Sequence, residues 1–352
     1  MRAVFTRCIV VGLGLCAGAI LGEVMLRALR LAPTNGLATV SAAQFLAVPG
    51  MLAPHQDFVD SRDRRLPHHV TTNALGYRGS EFPLEKPPGE FRVFLTGDSF
   101  AYGDFVDDDA TLPAQLAQRL AGRCIHVRVI NAGLDAGTIV DEAQIIRRGL
   151  AVSPDLVVLL FSENDVIDLR ERSTWSMLAD NRRAKAELPL SVLYPVLRRT
   201  ALWNFAQQVR AASWSHEVKT VKADWFGAES DVDSLTARLR QVYRGDLLAL
   251  RDTLRARRVP FALAAYPMHF AITRPEKRGQ LEWLSETSTA AGITMINLLA
   301  PLFRSGLPLD SLYLLPYDGH PSPQGYAVAA SYLADRLVSE GLVPGGCNAA
   351  LR

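Results

Sequence analysis

Phe91-Arg92-Val93-Phe94-Leu95-Thr96-Gly97-Asp98-Ser99-Phe100 is the stretch on which the fold turns. Six residues of alternating, strand-favouring character stop at a glycine. A central strand over 91–96 is therefore expected to deliver the Ser99 hydroxyl to its carboxyl end, the edge where α/β sheets present a nucleophile. Gly, Asp and Ser are also the commonest turn formers, so residues 97–100 alone fit an ordinary strand end equally well. Partners elsewhere in the chain have to decide.

Outward from this stretch, strand-like and helix-like patterns take turns. A helix near 112–122 carries Leu112, Leu116 and Leu120 four apart, and a strand over 125–130 follows. A helix near 138–150 places Ile139, Ala143, Ile146 and Leu150 on one face, and Leu156 to Phe161 is an almost wholly apolar strand. The rhythm resumes with a helix over about 233–257, whose Leu235, Leu239, Val242, Leu247, Leu250 and Leu254 form a stripe. Strands at 260–266 and 293–298, a helix near 277–290 and a last helix over about 323–340 complete it, with Ser322 and Pro323 as N-cap and first helical position. Apolar strands between helices imply a parallel sheet covered on both faces. The expected fold is a three-layer α/β sandwich with five parallel strands over residues 91–345, interrupted by a helical insertion at about 166–231. That insertion holds Trp175, Trp203, Trp214 and Trp225. It reads as a cap over a cleft, as a helical excursion with its own small core, or as a surface leaning on a bilayer.

Residues 1–30 begin Met1-Arg2 and contain an apolar stretch from Cys8 to Gly22, followed by Glu23, Arg27 and Arg30. This is the pattern of an export segment, read as an uncleaved signal anchor that leaves the body outside. A cleavage site at Ala17-Gly18-Ala19 and a buried amphipathic helix are the alternatives. Residues 31–90 show no sustained period and suit a tether with irregular wrapping structure, whose one pointed stretch is Asn73-Ala74-Leu75-Gly76-Tyr77-Arg78-Gly79. That stretch reads either as a glycine turn or as part of an active-site rim. At 352 residues with 49% apolar and 21% charged residues the chain can fill a core, and a net charge of +2 gives no footprint for nucleic acid. The four cysteines lack metal-site spacing, and no metal or other cofactor is expected. If the body is exported, a Cys124–Cys347 bridge and two buried free thiols are both open. Oligomeric state is not legible.

A serine nucleophile needs a base, and the base an orienting group. Of seven histidines, His55, His68, His69, His126, His216 and His269 read as surface or packing residues. His320 lies in Tyr317-Asp318-Gly319-His320-Pro321, after the last strand and before a well-capped helix, at the same sheet edge as Ser99. Asp318 reaches the imidazole if Gly319 folds the loop back. Oxyanion donors are offered at two more strand ends, by the Gly133 N–H in Asn131-Ala132-Gly133 and by the Asn164 amide in Ser162-Glu163-Asn164-Asp165.

In order and spacing these blocks resemble those of the SGNH hydrolase superfamily, the GDSL-type esterases and lipases. The resemblance covers residues 97–321, and the apolar leader and the 73–79 stretch look like the membrane-tethered bacterial members. It implies the flavodoxin-like sandwich, with Ser99 as nucleophile, His320 as base and Asp318 as orienter. The N–H groups of Ser99 and Gly133 and the Asn164 amide would form the oxyanion hole. Two departures stand out: Ser162 where many members have glycine, and Asp-x-His where the commoner spacing puts the aspartate three residues before the histidine. The shorter spacing is similar to that of related polysaccharide O-acetyltransferases.

The expected activity is therefore hydrolysis of O-acetyl or other short-chain acyl esters through an acyl-enzyme on Ser99. Expected substrates are saccharide-linked or lipid esters of the cell envelope, reached from the periplasmic face of a bacterial inner membrane. An O-acyltransferase using the same triad with a glycan acceptor, and a catalytically silent binding scaffold, are the rival readings.

Overall fold

A computed structural model describes residues 2–29, 31, 48–61, 63–121, 126–170, 194–197, 199–206, 209 and 234–344. Cys124, Cys347, Trp175, Trp214, Trp225 and His216 lie outside the described residues, as do residues 171–193 and 210–231 of the expected insertion.

The chain opens with helix α1 (Arg2–Ala28) and a two-stranded antiparallel hairpin, β1 (Asp57–Asp60) and β2 (His68–Thr71). The central sheet is built from β3 (Phe91–Thr96), β4 (Val127–Asn131), β5 (Leu156–Phe161), β6 (Phe261–Ala265) and β7 (Thr294–Asn297). All of its pairings are parallel, in the order β4-β3-β5-β6-β7. This is the doubly wound 2-1-3-4-5 order, whose strand order reverses beside the first strand and opens a crevice at the carboxyl ends there. The expected five-stranded parallel α/β sandwich is the fold observed.

The strands are buried on both sides, and alternation sorts their side chains into two cores. Phe94, Val157, Leu159 and Phe161 face one core, closed by α3 (Ile139–Gly149), α5 (Ser234–Ala256) and α6 (Gly279–Ala291). Val93, Leu95, Leu156, Val158 and Leu160 face the other, closed by α2 (Leu112–Ala121) and α7 (Pro323–Ser339). The α5 stripe contributes Leu239, Tyr243, Leu247, Leu250 and Leu254 to the first core, and α7 contributes Tyr326, Ala329, Ala330, Leu333 and Leu337 to the second. All six residues of β5 are fully buried. Truncating one of its leucines to alanine costs about 2–5 kcal/mol through lost burial and an unfilled cavity.

The α7 terminus forms as its sequence predicts: Ser322 is the N-cap, its side chain accepts the Gly325 N–H at 3.0 Å, and Pro323 fills the first turn. Within the amino-terminal stretch, read above as irregular, the β1–β2 hairpin is a regular element. It is held by side chains from far along the chain: the His69 N–H donates to Asp107 at 2.7 Å and the Thr71 N–H to Asp108 at 2.8 Å. Four-residue strands fixed in this way leave no periodic signature.

Candidate active site

Ser99 opens a single helical turn, Ser99–Tyr102, directly after β3. Asp98 is its N-cap and accepts the Phe100 N–H at 2.9 Å. Gly103, left-handed at φ 88°, closes it with its N–H on the Ser99 carbonyl at 2.9 Å. At Gly97 a Cβ would stand 2.6 Å from the Leu160 carbonyl oxygen, so only glycine lets β3 turn this sharply beside β5.

His320 reaches this turn from the loop before α7. Its Nε2 lies 2.8 Å from Ser99 Oγ and its Nδ1 lies 2.5 Å from Asp318 Oδ1. The same Asp318 oxygen accepts the backbone N–H of His320 at 2.9 Å, and the Leu314 carbonyl accepts the N–H groups of Tyr317 and Asp318 at 3.0 Å each. The loop is thus folded back by these bonds, with no left-handed φ at Gly319, and the aspartate two residues before the histidine reaches the ring. With Nδ1–H donating to the carboxylate, Nε2 is left as the acceptor for the serine proton. The imidazole is flanked by Phe100 (centroids 5.1 Å apart) and Phe105 (5.3 Å). Burial pulls its pKa down, but the hydrogen bond and charge of Asp318, with Asp104 and Asp98, outweigh that and hold it above the ordinary value.

The two neighbouring strand ends converge on the same turn. A Cβ on Gly133 would stand 2.1 Å from the Tyr102 nitrogen, so this loop rests directly on the Ser99 turn. The Gly133 N–H donates to Asn131 Oδ1 at 3.1 Å, and Asn131 Nδ2 donates to the Tyr102 carbonyl at 3.1 Å. Asn164 opens the five-residue helix α4 (Asn164–Asp168), and its amide donates to Asp98 at 3.1 Å and to Asp168 at 2.9 Å. The Gly133 N–H and the Asn164 amide are therefore engaged by internal acceptors, and the Ser99 N–H sits in a helical first turn, where N–H groups lack intrahelical partners. Asp98 is pushed up to about 6, burial outweighing the Asn164 and Phe100 hydrogen bonds and the His320 charge that favour its anion.

Several neighbours carried no usable signal in the sequence. Glu142 and Asp165 are fully buried, and burial, reinforced by the charge of Asp98 on both, of Asp141 on Glu142 and of Glu142 on Asp165, pushes both far up. Both Glu142 carboxyl oxygens, Asp165 Oδ1 and the Tyr243 hydroxyl have no hydrogen-bond partner among the described residues. His269, read as packing, lies beside the Asp318–His320 loop, with its Nδ1 3.3 Å from where a Gly319 Cβ would stand. The 73–79 stretch is a glycine turn, with Asn73 Oδ1 accepting the N–H groups of Leu75 and Tyr77 at 3.0 Å each and Gly76 at φ 77°. Its Arg78 also reaches the far end of the Ser99 turn, where its Nη1 donates to the Tyr102 and Gly103 carbonyls.

A serine–histidine–aspartate relay at the carboxyl edge of a doubly wound sheet defines a hydrolase-type α/β site. Residues 95–328 match the model of the GDSL-like Lipase/Acylhydrolase family, and the chain belongs to that family. It is accordingly a carboxylic ester hydrolase. No curated protein matches the chain. Similar solved structures include the lipase/acylhydrolase from Enterococcus faecalis (16% identity, 72% of this chain and 98% of that one, TM-score 0.41). A member of the lipolytic protein G-D-S-L family from Veillonella parvula DSM 2008 has 13% identity, covers 71% and 98%, and gives a TM-score of 0.41. A catalytic mutant of an acetylxylan esterase from Geobacillus stearothermophilus has 15% identity, covers 70% and 94%, and also gives 0.41.

Proposed function

We propose that Ser99 is the nucleophile of a membrane-tethered esterase, with His320 as general base and acid and Asp318 as its orienter. The observation that carries this is the continuous hydrogen-bonded line from Ser99 Oγ through His320 to Asp318, at 2.8 and 2.5 Å. Ser99 Oγ attacks the ester carbonyl carbon while its proton passes to His320 Nε2. The C–O bond to the alcohol then breaks, and His320 returns the proton to the departing alcohol oxygen. Water gives a proton to His320 as its oxygen bonds the acyl carbon; the bond from that carbon to Ser99 Oγ then breaks, and His320 returns the proton to Oγ, releasing a carboxylic acid.

The N–H groups of Ser99 and Gly133 and the Asn164 amide form the oxyanion hole. Engaging the oxyanion exchanges the Gly133 bond to Asn131 and one Asn164 bond to a carboxylate for charge-assisted ones. Each such donor is worth ~3 kcal/mol at the transition state.

The one described helix long and apolar enough to cross a membrane is α1, over Ile9–Ala28, with Arg2 and Arg7 ahead of that window. As an uncleaved anchor in the bacterial inner membrane it holds the catalytic domain on the periplasmic side. The substrates are then O-acetyl or short-chain esters on envelope saccharides or lipids.

The test is fluorophosphonate labelling of the full chain in detergent, followed by an acetyl donor offered with water or with a glycan acceptor. Ser99-dependent labelling and free acetate are expected. Acetylated glycan in place of acetate would make the enzyme an acyltransferase, and no labelling would leave a silent scaffold.

A further inference from the structure

The carboxyl end of α1 is joined to part of the 166–231 insertion by a closed set of polar contacts. Glu23 accepts the N–H groups of Ala201 and Leu202 at 2.9 Å each, the first N–H groups of a helical segment over 201–206. Arg27 donates to Glu23 at 2.6 Å and to the Arg199 carbonyl at 3.0 Å. Around these bonds Leu26 and Ala201 are buried against each other, with Leu31 and Phe205 packed on them. A carboxylate thus caps a helix belonging to a segment 178 residues away.

The place of this capping along the apolar helix sets its depth. Ile9 to Gly22 is a run of 14 residues, which rises ~21 Å at 1.5 Å per residue. A hydrocarbon core of ~30 Å needs more, so the turns containing Glu23 and Arg27 belong to the span and not to the water beyond it. At that depth, charges and open N–H groups must find partners within the protein. Glu23, Arg27 and the 201–202 N–H groups supply one another. The capped segment must lie at the same depth as its cap, and with its described neighbours it exposes Val196 (62% exposed), Leu197 (38%), Leu202 (41%) and Val209 (51%), beside one exposed cation, Arg199.

We infer that residues 194–197 and 199–206, with Val209, form a docking surface for the phospholipid interface, clamped to the anchor by Glu23, so that the catalytic domain is held against the bilayer at two points. This rests on reading α1 as an uncleaved anchor. Lipid engages the apolar face of the segment as it engages other interfacial helices, by burial of aliphatic side chains at the headgroup boundary.

The test uses the full chain in nanodiscs of phosphatidylcholine and phosphatidylglycerol, with a diazirine amino acid at position 15, 196 or 202 and lipid adducts read by mass spectrometry. Adducts at all three positions are expected. An adduct at 15 with none at 196 and 202 overturns the docking surface while leaving the anchor intact, and no adduct at 15 overturns both. In Glu23→Leu, still cross-linked at 15, hydrogen exchange at Ala201 and Leu202 is expected to accelerate at least tenfold. Unchanged exchange overturns the clamp.

Discussion

Arg78 Nη1 donates to the Gly103 carbonyl at 2.7 Å, so a residue from ahead of the central sheet holds the end of the turn that Ser99 begins. The same guanidinium reaches the carbonyls of Tyr102, Val106 and His69 and pairs with Asp108 at 2.7 Å, and it is only 4% exposed. Arg78→Met takes the guanidinium donor from all of these acceptors, of which Asp108 keeps Thr71 and the Tyr102 carbonyl keeps Asn131, at a cost of about 3–5 kcal/mol. Arg78→Lys keeps the charge but loses the planar fork. Thermal melting should rank wild type above Arg78→Lys above Arg78→Met. At temperatures where each is folded, fluorophosphonate labelling should slow at least tenfold in Arg78→Met. An unchanged labelling rate would confine Arg78 to stability.

Removing Ser99 or His320 should act on the chemistry and not on the fold. Ser99→Ala and His320→Ala are expected to lower kcat/KM on a short-chain aryl ester by at least about 10³-fold, and Asp318→Asn by about 10²–10⁴-fold. Melting temperatures should stay close to wild type. An Asp318→Asn enzyme with full activity would remove that residue from the relay.

The pH profile follows from the raised His320 pKa. The base works only when neutral, so kcat/KM should fall as pH drops through a value above ~6.5, the ordinary histidine figure. Asp318→Asn removes the hydrogen bond and charge that raise it. The acid limb of the remaining activity should then move to lower pH. A limb that stays in place would assign it to another group, with Asp98, near 6, the nearest candidate.

Gly133→Ala tests how tightly two strand ends are pressed together. Its Cβ would meet the Tyr102 nitrogen at 2.1 Å and the Ala101 carbonyl carbon at 2.5 Å, both backbone atoms that cannot swing aside. Separation of the Gly133 loop from the Ser99 turn is expected, with kcat falling about 10²-fold, on the scale of losing one oxyanion donor. Parallel measurement of KM should show much less change.

Glu142 should make the fold weaker as pH rises. Its folded pKa lies well above that of the unfolded chain, so the native state binds more protons between the two values and loses stability through that window. Glu142→Gln removes the ionisation while keeping the shape. Its advantage over wild type in urea unfolding should be small at pH 5 and grow toward pH 8, by up to ~1.4 kcal/mol per pH unit. An equal difference at both pH values would contradict the assignment.

The sheet was legible because its strands are buried on two faces: Leu156–Phe161 has no polar residue, and the strand boundaries lie where that pattern stops. Ser99 could be placed at one edge because it follows a strand, and His320 because it lies after the last strand and just before the capped α7. The β1–β2 hairpin and the hold of Arg78 on residues 102–106 were not legible. Their causes are bonds to residues some 25 to 40 positions away, and no local period records such partners. His269 and Phe105 belong to the same class: only the folded loop shows that they stand beside Gly319 and His320.

The two-residue spacing of Asp318 and His320 has a mechanical consequence. One carboxylate oxygen binds both the backbone and the ring of His320, and the loop closes on itself through the Leu314 carbonyl and the Leu314 N–H, which donates to the His320 carbonyl at 2.9 Å. His320 and Asp318 are therefore tied into one loop. A shift of residues 314–320 would carry both away from Ser99 without disturbing the tautomer, so the proposed relay opens at a single joint, the 2.8 Å gap to Ser99.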